Sequence, residues 1–313
     1  MTVKDDEAGK SMERNNKPIK TLAGALAGKS FSITAEIPLR PLSPIDEIVQ
    51  RAKELLPWVD GIQVSENPRQ TGQVSPVALA ALLLDQGIDP ITRLNCRDRN
   101  RLALQADLVG LKLLGVSSLI LDRSNRLEIP GALNGKPVFD VNGRDLITMA
   151  SNISEEQLRG SAQEFMVGTS VNAFFPKPDW SAQHLETLAS AGTRFVQTQP
   201  CFSVPLLRRY VRRLVELKLT WKFAVIVTIA PLPGIEFARW QLDNPRGTRV
   251  PKSIANELAA AADPEKAGIE ICARQMRKIA AIPGVSGINL LTLGNPAAVA
   301  AAIEASGLRQ NPV

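Results

Sequence analysis

Short runs of apolar and β-branched residues alternate with longer stretches of helical spacing from about Phe31 to Ser306. Eight runs have strand character: Phe31–Ile37, Gly61–Val64, Pro90–Leu94, Ser118–Leu121, Phe165–Val171, Arg194–Gln197, Phe223–Ile229 and Gly287–Leu291. Between them, apolar residues recur at helical spacing over Ile45–Leu56, Val77–Leu84, Arg99–Leu114, Gly143–Ala150, Ser181–Ala191 and Leu206–Leu217. Pro76 stands at a helix start and Gly115 at a helix end, the places each favours. A longer excursion, Asn244 to Ile282, reads as two extra helices before the last strand. Eight strand–helix units predict an α/β fold, a closed parallel (β/α)8 barrel of TIM type with extra helices between strands seven and eight. The expected domain is 21–313, preceded by a mobile tail, 1–20.

A barrel of this kind keeps its chemistry at the C-terminal ends of its strands. Nearly every run here ends in a polar cluster. Glu36 ends the first, and Asn67 lies just past the second. Asn95 to Asp98 close the third, Asp122 to Asn125 the fourth and Asn172 the fifth. Gln197 to Gln199 end the sixth and Thr292 to Asn295 the eighth, whereas the seventh ends blandly at Ala230-Pro231-Leu232. Such a pattern favours an enzyme.

The residue types narrow the chemistry. The one histidine, His184, falls in a helix away from the strand ends, which removes Ser-His-Asp triads and histidine metal sites. Neither a Gly-x-Gly-x-x-Gly nor a P-loop pattern is present. A carboxylate must therefore do the acid–base work, and Glu36, just before Pro38 on an otherwise apolar segment, leads. Partial desolvation there would raise its pKa and let it donate a proton near neutrality. A capping or pairing role at the barrel rim is the plainer alternative.

Composition agrees with a large buried core, at 44% hydrophobic residues in 313. No apolar run reaches the length of a membrane span, and Met1 to Lys20 lacks the apolar region of a secretory signal. Three widely spaced cysteines (Cys96, Cys201, Cys272) argue against disulfides and zinc sites, so a cytoplasmic protein without metal or membrane attachment is expected. The net charge of +6 is not gathered into a nucleic-acid-binding arm. The densest basic patch is Arg93, Arg97, Arg99 and Arg101 at a strand end. Either it receives a phosphate or carboxylate, which arginine's fork suits, or it pairs with Asp98 and Asp107.

Several segments resemble the 5,10-methylenetetrahydrofolate reductase family. Arg93-Leu94-Asn95-Cys96-Arg97-Asp98-Arg99-Asn100 is similar to its L-T-C-R-D-R-N, and Ser75-Pro76-Val77-Ala78-Leu79-Ala80 to the S-P-L-A-L-A of one branch. The likeness continues through Lys136 to Asp140, Phe195-Val196-Gln197-Thr198-Gln199-Pro200, Arg249-Val250-Pro251, Gly268 to Ile271 and Pro283 to Ile288, spanning about Thr21 to Asn295. The resemblance implies a barrel holding FAD or FMN. NADH or NADPH reduces the flavin, which passes hydride to the methylene carbon of a tetrahydrofolate derivative. It implies Glu36 as general acid, Gln199 as a pterin contact with Gln197 and Phe174 beside it, and Asn125 at the place of a catalytic aspartate. It also implies cofactor contacts from Asn67, Arg93, Asn95, Arg97, Asp122, Asp140 and Asn172. A homo-oligomer or a partner subunit is left open.

Departures from the family fall mainly on flavin contacts. Arg93 replaces a histidine, and Ser124-Asn125 replace Gly-Asp in a turn that favours positive φ. Asp122 lies three positions early and is expected to point elsewhere. Leu188 replaces a lysine that supports the flavin's phosphate arm, and Leu291-Thr292-Leu293-Gly294-Asn295 lacks the family's arginine. Two alternatives follow: a flavin-independent member handling folate one-carbon units, or a non-catalytic folate-binding or partner subunit.

Overall fold

The computed structural model describes residues 20–38, 44–64, 74–124, 136–153, 164–237 and 250–309. Eight parallel strands close into a barrel in chain order: β1 (Ser32–Ile37), β2 (Gly61–Val64), β3 (Pro90–Asn95), β4 (Ser118–Asp122), β5 (Met166–Val171), β6 (Phe195–Thr198), β7 (Ala224–Ile229) and β8 (Gly287–Leu291). The helices that pack outside them are α2 (Ile45–Leu55), α3 (Pro76–Asp85), α4 (Arg101–Leu114), α5 (Gly143–Ser151), α6 (Gln183–Ala191) and α7 (Val204–Glu216). They continue with α8 (Lys252–Ala260), α9 (Pro264–Ala280) and α10 (Pro296–Ser306). The expected barrel is therefore what the chain forms.

Two details differ from the sequence reading. A short helix, α1 (Leu22–Ala27), precedes the barrel. Of the two helices expected as extras before β8, α8 is additional, and a further helical stretch lies at 235–237. Helix α9 is the barrel's own seventh helix, packed against α7, α10 and β8.

Alternation along each strand sorts residues into two environments. One set, including Ile33, Ile62, Leu94, Leu119, Val167, Val196, Val227 and Leu290, faces the helices and joins them in one continuous core. The other set faces the barrel axis and is itself split. Low in the barrel, Ile91, Ile120, Phe195 and Ile226 form a separate apolar plug, and Leu22 of α1 closes it from beneath. Phe195 has room because its neighbour is Gly168: a Cβ there would lie 2.2 Å from the ring. Higher up the interior turns polar. The Thr34 hydroxyl donates to Asn289 Oδ1 at 2.9 Å, and Gln197 Nε2 reaches across the barrel to Gln63 Oε1 at 2.9 Å.

Buried acids tie the strand starts together at the lower face. Asp60 accepts from the Ile33 N–H at 2.9 Å and pairs with Arg309 near the end of the chain. Asp89 accepts from the Leu22 N–H at 3.2 Å and from Ser117 Oγ at 3.0 Å, which fixes α1 over the plug. Burial pushes the Asp89 carboxyl up to about 7, outweighing those hydrogen bonds.

An acid whose folded-state pKa is raised holds its proton more tightly folded than unfolded. The stability this gives is complete below about pH 4 and is lost as pH rises through about 7. Asp89→Asn keeps one acceptor oxygen, which from the Oδ2 position reaches both the Leu22 N–H and Ser117 Oγ, without the titration. Urea unfolding across that range should show the parent losing on the order of 1–4 kcal/mol and the variant not. Equal slopes would mean that Asp89 is solvated.

Candidate active site

Glu36, Arg93, Asn95, Asp122, Ser170, Gln199 and Leu291 lie on the inward-facing positions at or just beyond the C-terminal ends of six strands, as the registers place them. Together they form the mouth of the barrel. Glu36, half-buried, sits between Gln63 of β2 and Leu291 of β8. Its carbonyl is pinned by Thr292, which donates both its N–H (3.1 Å) and its hydroxyl (3.0 Å). Thr292 thus fixes the backbone that carries the acid.

The mouth is organised by Asp122. One of its oxygens accepts from the Ser170 N–H at 2.8 Å, and the other accepts from Ser170 Oγ at 2.9 Å. The Arg93 guanidinium lies against it, with Nε 3.4 Å from Oδ2, and donates through Nη2 to Ser170 Oγ at 2.9 Å. Both charged side chains keep about a fifth of their surface open, 22% for Arg93 and 18% for Asp122. The expectation that Asp122 points away is corrected here. Strand β4 runs one residue further than its apolar run, so Asp122 shares the inward face of Ile120. Ser170, absent from the sequence-based candidates, could have been found by the same count of two from Asn172.

The other candidates divide. Gln199 continues the inward face of β6 two residues beyond Gln197; its N–H is held by the Val171 carbonyl at 2.8 Å, and its half-buried side chain has no hydrogen bond among the described residues. Asn172 is exposed at the end of β5. Gln197 lies deeper, engaged with Gln63. Asn95 shapes the β3–α4 turn, accepting from the Arg97 N–H at 2.8 Å. Arg97, only 2% exposed, is bound through two 2.7 Å hydrogen bonds to Asp98, and Arg99 pairs with Asp107 at 2.8 Å. Within the basic patch, Arg97 and Arg99 are thus paired with the acids beside them. Asp140 accepts from the Arg101 N–H at 2.8 Å at the start of α4. Phe174 turns outward, edge-on to Trp180 at 5.0 Å and tilted against Tyr210 of α7 at 5.5 Å, so its ring fastens a loop rather than lining the mouth. Asn67 and Asn125 lie outside the described residues. Ser124, next to Asn125, has φ 61°, the left-handed value its glycine-like place suggested.

Thiol chemistry has no place here: burial, and then Asp122, push the Cys96 thiol up to about 11. The mouth thus gathers an acid from β1, a held guanidinium from β3 and an amide from just beyond β6 around one opening.

A family model described as methylenetetrahydrofolate reductase matches residues 24–307, nearly the whole chain. The chain belongs to the methylenetetrahydrofolate reductase family. Membership supports an oxidoreductase in folate one-carbon chemistry. A comparison with curated protein sequences returned no match. Among solved structures, DmoA from Hyphomicrobium sulfonivorans is 8% identical, with TM-score 0.52 over 88% of this chain and 86% of that one. A 2,3-dimethylmalate lyase is 11% identical (TM-score 0.48; 92% and 86% covered). Tryptophan synthase from M. tuberculosis is also 11% identical (TM-score 0.48; 91% and 95%). At such identities DmoA shows the barrel fold and nothing more. No helix among the described residues is long and apolar enough to cross a membrane.

The family's flavin can be tested against these side chains. The polar edge of a flavin ring is rich in acceptors, and the Arg93 guanidinium, with about a fifth of its side chain exposed and Nη2 held by Ser170, is a donor of the matching kind. That donor suits the ring's edge. For the phosphate arm, Leu188 is buried on α6 in the helix-facing core, so its position gives no cation.

The Arg93–Asp122 pair should behave as a unit. Asp122→Asn leaves the guanidinium without its counter-charge and should cost about 1–3 kcal/mol in urea unfolding. Arg93→Met should cost less, and the double variant less than the two summed. Strict additivity would show that the pair carries no coupling.

Proposed function

We propose that the chain reduces 5,10-methylenetetrahydrofolate to 5-methyltetrahydrofolate, with NADH or NADPH as electron donor and FAD or FMN as carrier. The observation that carries this reading is Glu36: an acid at the inner end of β1, pinned through its carbonyl by Thr292, in a mouth where the side chain of Gln199 keeps its donors and acceptor. Opening the five-membered ring of the folate requires a proton on the departing nitrogen. Glu36 supplies it, which leaves a cationic methylene–nitrogen double bond whose carbon takes the hydride. Gln199 holds the pterin by its amide edge, and orientation of this kind replaces a large entropic cost.

Arg93 would hold the polar edge of the flavin, and Asp122 would keep that guanidinium in place and its charge balanced. The flavin, when bound, supplies a two-electron store between nicotinamide and folate. The negative charge sought at position 125 is then provided by Asp122, from the strand itself.

The burial of Leu188 favours one further reading, in which hydride passes from the nicotinamide to the folate without a tightly held flavin. The visible absorption of the purified protein after reconstitution decides between the two: a flavin band supports the carrier, and turnover without one supports direct transfer.

Glu36→Gln retains shape and loses the proton, so folate-dependent turnover should fall by about 10²-fold or more while flavin reduction by nicotinamide survives. Stopped-flow measurement of each half-reaction separates these, and equal loss in both would make Glu36 structural. Gln199→Ala should weaken folate binding by about 1–3 kcal/mol in calorimetry. Unchanged affinity would return Gln199 to the barrel wall.

A further inference from the structure

The face of the barrel opposite the mouth carries a groove that the reaction does not use. It has a volume of about 560 Å3 and lies between α1 and the starts of β5, β6 and β7. Its floor is apolar: Leu26, Met166 and Ala224, which pack beneath the Ile91–Phe195 plug. Lys29, Arg194 and Lys222 stand around it, each from a different segment of the chain. Among the described residues no acidic side chain lines it. None of the three cations has an ion-pair partner among the described residues. Beside Lys222 the indole of Trp221 is 85% exposed, the most open large apolar side chain among the described residues.

A lone surface lysine needs no explanation, since its ammonium is at home in water. Three cations from three segments around one hollow repel one another, and no ion pair among the described residues offsets that repulsion. A single carboxylate would balance only one of them; a chain of phosphates balances all three through charge-assisted hydrogen bonds. The exposed indole and the apolar floor suit a flat base, because stacking on an aromatic ring tolerates any base. The volume falls within the range of small-ligand pockets.

We infer that this groove is a second binding site, for a nucleoside polyphosphate. The base stacks on Trp221 and the phosphates lie among Lys29, Arg194 and Lys222. The site is remote from the mouth and stands whether or not the proposed reaction does.

ATP is the probe. Titrated into the full chain, it should quench tryptophan fluorescence saturably in the millimolar range or below, and Trp221→Phe should abolish that part of the signal. Inorganic triphosphate should displace it, and adenosine should not. Lys222→Ala and Arg194→Ala should each weaken ATP binding about tenfold by calorimetry, the scale of one lost charge-assisted hydrogen bond. Arg93→Met should leave it unchanged. No saturation, undiminished affinity in both cation variants, or adenosine binding as tightly as ATP would each overturn the inference. So would loss of binding in Arg93→Met, which would put the nucleotide in the mouth.

Discussion

Closing eight parallel strands into a ring gives every strand one decision, which alternate residues face the axis, and the rest of this molecule follows from it. Once Gly168 and Phe195 face inward, so do Ser170, Gln197 and Gln199, and through the registers Asp122, Arg93 and Glu36 as well. Slipping one strand by a single residue would turn its polar set into the helix-facing core and expose its valines and isoleucines to the axis. The mouth is therefore assembled by the same constraint that fills the core. Its polarity depends on the apolar plug beneath, which closes the barrel low down and leaves the upper half free for chemistry.

Charge in such a mouth has to be arranged in pairs, because partial burial penalises a lone ion. Asp122 answers this by holding Arg93 and the Ser170 hydroxyl at once. The next turn of chain repeats the device: Arg97 is almost fully buried, but on Asp98. Two arginines of one short segment therefore do different things. Arg97 and its acid fix a loop, whereas Arg93 and its acid tie β3 to β4 and β5 at the mouth.

The fold was legible because its signal is repeated eight times, so an error in one element is corrected by its neighbours. Single residues had no such redundancy. Glu36 and Gln199 could be placed from sequence since each stands at the end of an unambiguous apolar run. Asp122 could not, because one residue of strand length decides its direction and apolar runs do not register a polar last residue. Phe174 was misjudged for a similar reason: beyond β5 the alternation lapses, and Trp180 and Tyr210, six and thirty-six residues later, claim the ring. Ser170 was overlooked because a serine inside a strand carries no signal of its own until parity is counted from its neighbours. Helix α1 is too short to show a period.

Gly168 and Phe195 divide one volume between two strands: the ring occupies the space that any side chain on its neighbour would need. Neither position can change size alone without collision or a void in the plug. Variants of this barrel are thus confined to a narrow corridor in which the two sites must exchange bulk together. The floor beneath the mouth is in that sense a coupled pair of positions rather than two independent ones.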